Sequence, residues 1–274
     1  FSHEIVGGKA TALYHQMARE IWDLEYRFPL SWAGRRILEP RWVRRMAGGR
    51  IVANSPSTAA DLAEYHLTCQ AATAAPGWDG EALAVARSGP SLHPRLLFLG
   101  RLVRHKRPGD ALDAFRRVRH DFPEARLDVV GDGYLRGDLE KQAEPGVTIH
   151  GHVSEDTKST LLDAADLILI PGTREGWGIV AIEAASRGVP VVAYNVPGLR
   201  DSVADGMTGV LCSPDSAAMA DAATGLLRDP SRWRAMAEAG PSWARQFTWE
   251  KAAAVIMDAL RRPLPTGTGA SANR

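Results

Sequence analysis

Residues 171–188 read Pro171-Gly-Thr-Arg-Glu-Gly-Trp-Gly-Ile-Val-Ala-Ile-Glu-Ala-Ala-Ser-Arg-Gly188, and they follow Leu167-Ile-Leu-Ile170. A run apolar at every position reads as a strand buried on both faces. The chain then crosses a glycine-rich loop and enters a helix, Val180 to Arg187, stopped by Gly188. Gly176 and Gly178 let the backbone approach a ligand closely. The helix beginning near Ile179 aims free N–H groups and the positive end of its dipole at the loop, which suits a diphosphate. Glu183 lies about one turn into that helix and Glu175 in the loop before it. Carboxylates do not hold anions, but they accept well from a vicinal diol, so ribose or sugar hydroxyls are their natural partners. By spacing alone the two acids also fit solvated charges at a helix end.

Around this stretch the pattern repeats. Strands are expected at 96–99, 127–130, 147–150, 167–170, 189–194 and 209–212. Helices are expected at 108–120, 134–143, 154–164, 180–187, 216–228, 231–246 and 249–261. Apolar strands alternating with helices mean βαβ units and a parallel, doubly wound sheet. Ligands bind beyond the carboxyl ends of such strands, which points to the loops after Leu99, Val130, His150, Ile170 and Tyr194. One of these loops is Gly100-Arg-Leu-Val-Arg-His-Lys-Arg-Pro108. Arg101 and Lys106 would bring fixed positive charge to the cleft, where a departing nucleoside diphosphate gains charge in the transition state.

The first ninety residues read mostly helical. Thr11 to Phe28 carries Leu13, Met17, Ile21, Leu24 and Phe28 at helical spacing. Arg50 to Ser55 reads as a strand running into a helix capped by Ser55, with Pro56 at its first position. Residues 71–94 are rich in Pro and Gly and read as a linker, and 263–274 read as a disordered tail.

Composition narrows the function classes. The 274 residues are 45% apolar and 24% charged, ordinary for a globular protein, with a formal net charge of +1. That excludes disorder as the main state and a global basic field for nucleic acid. The two cysteines, Cys69 and Cys212, cannot form a disulfide framework and fit a reducing, cytoplasmic setting. No apolar run reaches the ~18 residues of a membrane-spanning helix. Residues 27–50 hold seven arginines against Glu39 alone, with Trp32 and Trp42. The basic stretch 35–50 fits peripheral contact with an anionic membrane on the cytoplasmic face, or equally a solvated or docking face. His150 and His152, two apart on a strand, face one side, but without a third ligand they read as structural.

These residues resemble glycosyltransferase family 4. Glu175 and Glu183 match the E-x7-E motif of retaining glycosyltransferases. The strand before Gly100, Arg101 and Lys106, then Gly131-Asp-Gly133, His150-Gly-His-Val153, the Glu-Gly-Trp-Gly loop and Asp205-Gly-Met-Thr-Gly209 follow in that family's order. The match covers about 95–262. It implies an α/β fold of the GT-B kind with two Rossmann-like domains, the N-terminal one incomplete because only about ninety residues precede Arg95. The expected division is 1–92, a partial acceptor-side domain and linker; 93–248, the donor-binding domain; 249–262, a helix packing back toward the first domain; and the tail.

The resemblance implies that Arg101 and Lys106 hold the diphosphate, Glu183 the ribose diol, and Glu175 the donor sugar. Backbone N–H groups of Gly176, Trp177, Gly178 and Ile179 would meet sugar and phosphate, with Gly131 beside them and the backbone near Val153 at the base. His3 would stand at the acceptor side. The implied enzyme is a retaining transferase moving sugar from a UDP- or GDP-sugar to a hydroxyl of an acceptor (saccharide, lipid-linked or small molecule), with no nucleic acid, cofactor or metal. No Asp-x-Asp occurs in the chain. Where the family has Asn-Gly, Phe and Glu, this chain has Ala75-Pro-Gly-Trp78, Trp177 and Asp201. Two other readings stay open: another enzyme on this fold, such as a sugar-nucleotide epimerase, or a truncated chain that binds a nucleotide sugar without transferring it.

Overall fold

In the computed structural model of the chain, residues 11–45, 49–67, 73–80 and 88–262 are described. The chain divides into two compact units, Phe1–Gly77 with Phe247–Arg274, and Trp78–Gln246.

The second unit is built on a six-stranded sheet: β3 (Arg95–Leu99), β4 (Arg126–Val130), β5 (Val147–Gly151), β6 (Leu167–Ile170), β7 (Val191–Tyr194) and β8 (Gly209–Cys212), following β1 and β2 of the first unit. All pairs are parallel and the spatial order is β5-β4-β3-β6-β7-β8. That is the doubly wound arrangement, whose direction of winding reverses between β3 and β6. Helices α5 (Pro108–Asp121), α6 (Arg136–Gln142), α7 (Glu155–Ala164), α8 (Ile179–Ser186), α9 (Leu199–Ser202), α10 (Ser216–Leu227) and α11 (Pro230–Ala244) complete the unit, numbered after α1–α4 of the first. β6 and β7 are buried at every position, as their unbroken apolar runs require. Pro108 and Pro230 stand at the first turns of α5 and α11, and Ser154 and Asp229 accept from backbone N–H groups at their helix starts. Asp166 is fully buried and ties the chain before β3 to β6. Its carboxylate accepts from Ser91 N (2.9 Å), Ser91 Oγ (2.6 Å) and Arg95 N (2.7 Å), bonds that offset the cost of burying the charge.

The first unit contains β1 (Thr11–Tyr14) paired in parallel with β2 (Arg50–Ala53), in the register Thr11↔Arg50 to Tyr14↔Ala53. Between them run α1 (Ile21–Glu25), α2 (Leu30–Ala33), a π-helical turn (Gly34–Leu38) and α3 (Glu39–Arg45). α4 (Pro56–Ala63) follows β2, and Ser55 caps it by accepting from Thr58 N at 3.1 Å. α12 (Trp249–Arg261) lies on β2, where Ala259, Val255 and Ile256 pack with Val52 and Ala74.

The helix expected over 11–28 is not formed. Thr11–Tyr14 is a strand, and only 21–25 of the rest is α-helical. Of the supposed stripe, Met17 alone is fully buried, while Leu13 and Phe28 are exposed at 40% and 79%. The short Thr-Ala-Leu-Tyr run takes the pairing that β2 offers, and tertiary pairing outweighs a helical spacing that arose by coincidence. Residues 263–274, expected to be a tail, lie outside the described residues.

Candidate functional site

The crevice predicted by strand order lies between β3 and β6. A cavity of about 80 Å³ opens at their carboxyl ends, lined by Phe98, Leu99 and Gly100 from β3, and by Ile170, Pro171 and Gly172 from β6. Gly178, Ile179 and Val180 at the start of α8 complete it, with Lys106 and Glu175. The start of α8 therefore forms part of the cavity wall. Gly178 holds the position before α8 at φ +87, and no side chain caps the first turn. A Cβ there would stand 2.8 Å from Ser202 Oγ in a backbone conformation that L-residues avoid.

Lys106 and Glu175 meet at the cavity. Lys106 Nζ lies 2.5 and 2.7 Å from the two carboxylate oxygens, with side-chain exposures of 23% and 12%. Both loops are fixed by backbone bonds. Thr173 N donates to His105 O at 2.8 Å, tying the loop after β6 to the loop after β3, and Glu175 N donates to Pro197 O at 3.0 Å. The residue after Lys106 is clamped too. Arg107, at φ +50, pairs with Asp110 at 2.9 Å, lies 5.3 Å from the centre of the Tyr194 ring and donates to Pro214 O at 3.2 Å. Tyr194 donates to Asp110 at 2.5 Å. Burial first, then the Asp110 hydrogen bond, hold that phenol far above its ordinary range.

Glu183 has a different partner. It accepts from Lys158 of α7 at 3.1 Å, while Glu155 takes the same ammonium at 2.6 Å. Burial pulls the Lys158 ammonium down, but the two carboxylates together outweigh it and hold the group above its usual value. Arg101 is exposed, 3.4 Å from His105 Nε2, and does not line the cavity. Gly131, at φ +132, packs beneath the loop after β3, where a Cβ would meet Gly100 O at 1.9 Å. Gly176 and Trp177 are buried in the loop, and Val153 packs against the core after β5; none of the three lines the cavity. His3 lies outside the described residues.

The two histidines do not share a strand face. β5 ends at Gly151, so His152 is exposed beyond it, and His150 pairs with Asp128 at 2.7 Å. Among the described residues no three His, Cys, Asp or Glu side chains cluster as a metal site, and no described helix is long and apolar enough to cross a membrane.

Sequence reasoning missed Lys158, His105 and the Arg107–Asp110–Tyr194 clamp. Lys158 and Arg107 each left one signal, an i,i+3 spacing from an acid at a helix start, Glu155 and Asp110; the contacts of Lys158 with Glu183, of His105 with Thr173 and of Tyr194 with Asp110 join segments distant in sequence.

The family model for glycosyl transferases group 1 matches residues 93–229. The chain is 35% identical over 178 residues to a glycogen synthase of Mycobacterium tuberculosis, a match covering 61% of this chain and 41% of that one. It is 32% identical over 239 residues to a D-inositol 3-phosphate glycosyltransferase of an Arthrobacter species, covering 76% and 54%. It thus spans about half the length of the curated relatives it matches. Among solved structures, the sucrose-phosphate synthase of Thermosynechococcus elongatus aligns over 92% of this chain and 67% of its own, with a TM-score of 0.73 at 23% identity. HepE of Anabaena, solved with UDP and glucose, aligns over 93% and 74% with a TM-score of 0.73 at 20% identity. The α/β architecture is of the GT-B kind, and the chain belongs to the glycosyl transferases group 1 family.

Proposed function

We propose that the protein is a retaining glycosyltransferase that moves a sugar from a nucleoside-diphosphate sugar to an acceptor hydroxyl. The observation that carries this reading is the cavity at the β3–β6 crevice, where Lys106, Glu175 and the uncapped start of α8 converge. That is what a sugar diphosphate needs: a cation, N–H donors for the phosphates, and an acceptor for sugar hydroxyls. In this reading Lys106 and Arg101 hold the diphosphate. Glu175 contacts the donor sugar, and Glu183 takes the ribose diol. The C1–O bond to the diphosphate breaks as the acceptor oxygen attacks from the same face, and the acceptor proton passes to the departing phosphate. Lys106, Arg101 and the α8 N–H groups stabilise the charge that develops there, so the step needs neither a metal nor a protein nucleophile. HepE, solved with UDP and glucose, supports a nucleotide-sugar donor.

A second partner in this reading is an anionic membrane surface on the cytoplasmic side. It is supported by exposed Phe28, Leu30, Trp32 and Trp42 beside the arginines of 35–50.

Titration with UDP and 2′-deoxy-UDP tests the donor site. The unaltered chain should prefer UDP, and Glu183→Ala should weaken UDP more than it weakens 2′-deoxy-UDP, which retains only the 3′-hydroxyl. Unchanged UDP affinity refutes the ribose role. Binding of UDP- or GDP-sugars without transfer to any acceptor favours the non-catalytic alternative.

A further inference from the structure

Lys106 ends a 3-10 turn, Arg104–Lys106, and α5 begins two residues later at Pro108. Arg107 alone joins the two, at φ +50 and ψ +48. Glycine takes that left-handed region readily, and a side chain as long as arginine does so only when its surroundings hold it there. Pro108 adds to the conflict, because a proline biases the residue before it toward extended backbone. A chain free of other constraints would straighten at 107, and Lys106 would swing with it. We infer, on the reading that Lys106 holds the donor's diphosphate, that Arg107 is a positioning residue for Lys106: its side chain holds its own backbone left-handed, and that backbone aims the lysine into the cavity.

The Arg107 guanidinium is held from three directions. Asp110 of α5 takes it at 2.9 Å, the ring of Tyr194 at the end of β7 lies 5.3 Å from it, and Pro214 O beyond β8 accepts from it at 3.2 Å. Two of these anchors are themselves fixed, since Tyr194 is fully buried and donates to Asp110 at 2.5 Å. The side chain therefore pins the turn after β3 to the ends of β7 and β8. Backbone bonds hold the turn itself: Lys106 N donates to Val103 O at 3.1 Å and Arg107 N to Arg104 O at 3.0 Å. Those bonds are open to any residue at 107, whereas the three side-chain anchors require the long cationic fork of arginine.

Arg107 does not line the donor cavity, and Lys106 does. The Arg107 charge is matched by Asp110, so its influence on an incoming diphosphate passes through geometry rather than through its own field. A cation whose backbone is fixed before the ligand arrives needs less ordering when the ligand binds.

The test is calorimetric titration of UDP into the full chain carrying Arg107→Ala or Arg107→Gly, each alone and combined with Lys106→Met. Both substitutions remove the same guanidinium, so the difference between them reads the backbone: glycine keeps the left-handed region freely and alanine does not. Arg107→Ala should weaken UDP by about fivefold or more, and Arg107→Gly should restore most of that loss. With Lys106→Met in place, the effect of either should shrink to within about twofold. Asp110→Asn, which keeps Arg107 but removes its charged anchor, should weaken UDP in the same direction and again only where Lys106 is present, which keeps the test open should Arg107→Ala fold poorly. Glycine as weak as alanine assigns the effect to the lost charge, and an effect that persists in Lys106→Met assigns it to the fold at large; either overturns the positioning role, as does unchanged affinity in Arg107→Ala. If Lys106→Met alone binds UDP as tightly as the unaltered chain, the donor reading fails and the role of Arg107 with it; if Lys106→Met weakens UDP while the two Arg107 variants bind alike, the role of Arg107 fails alone.

Discussion

Replacing Glu175 by glutamine should make the protein bind bare UDP more tightly. Lys106 is held by both oxygens of Glu175 at 2.5 and 2.7 Å, so an incoming diphosphate must draw the ammonium away from an existing partner. A hydrogen bond to a charged group contributes about 1.5–3 kcal/mol net when sheltered, and a freely exposed ion pair under about 1 kcal/mol. Side-chain exposures of 23% and 12% put this pair between those limits. Removing the competition therefore releases about 1–2 kcal/mol, roughly a five- to thirtyfold gain in affinity. Glu175 is assigned to the sugar, so bare UDP loses no direct contact in the variant. Calorimetric titration of UDP into Glu175→Gln and Lys106→Met at two salt concentrations reads the effect. Glu175→Gln should tighten and Lys106→Met should weaken binding, with the difference shrinking as salt rises. The glutamine variant should also melt a few degrees lower, because the pair is lost in the free protein. UDP affinity that falls or stays constant in Glu175→Gln means the diphosphate does not use Lys106.

Three further outcomes follow from the same coordinates. Tyr194→Phe removes the 2.5 Å bond to Asp110 and should cost about 1–2 kcal/mol of stability near neutral pH by urea denaturation. The raised phenol contributes fully below pH ~10 and is lost as pH climbs, because above that the unfolded phenol ionises first, so the gap between the two proteins should narrow in alkali. Gly131→Ala places a methyl group 1.9 Å from Gly100 O at φ +132 and should cost at least about 3 kcal/mol, whereas Gly137→Ala in α6, with nothing within 4 Å, should be neutral or stabilising by up to about 1 kcal/mol in thermal melts. Burial pushes the Cys212 thiol up to about 11, so in a Cys69→Ser chain its alkylation at pH 8 should run about a hundredfold slower folded than in urea; equal rates would show that the thiol is not shielded.

The fold of the second unit was legible because its signals agree at every level. Unbroken apolar strands, Pro and Ser at helix starts, and glycines at strand ends all ask for the same βαβ units, and β6 and β8 fall on the expected residues. The first unit resisted because its signals conflict. Thr11–Tyr14 is too short to show alternation, and its partner is β2, thirty-odd residues on. A spacing read along one segment carries no information about a partner at that distance, so the helical pattern of Leu13, Met17 and Ile21 prevailed on paper while pairing prevailed in the structure.

The site divides along the same line. Strand order located the crevice, and the residues flanking one loop, Glu175 and Gly178, could be read from local spacing because the loop itself sets their geometry. Which cation faces which acid could not. Lys106 is 69 residues from Glu175, and Lys158 is 25 from Glu183, so each pairing is a product of the sheet that brings the loops together. The sequence reading assigned the acids to hydroxyls and the cations to phosphates as if they were independent. In the folded chain each acid arrives already holding a lysine. In the proposed donor site, an acid with a resident cation is less repulsive to a diphosphate than a bare one, so Glu175 can line the cavity beside an anion. In the same proposal the Lys158–Glu183 pair fixes its carboxylate in advance, so a ribose diol would find its acceptor already oriented and binding would cost less ordering entropy.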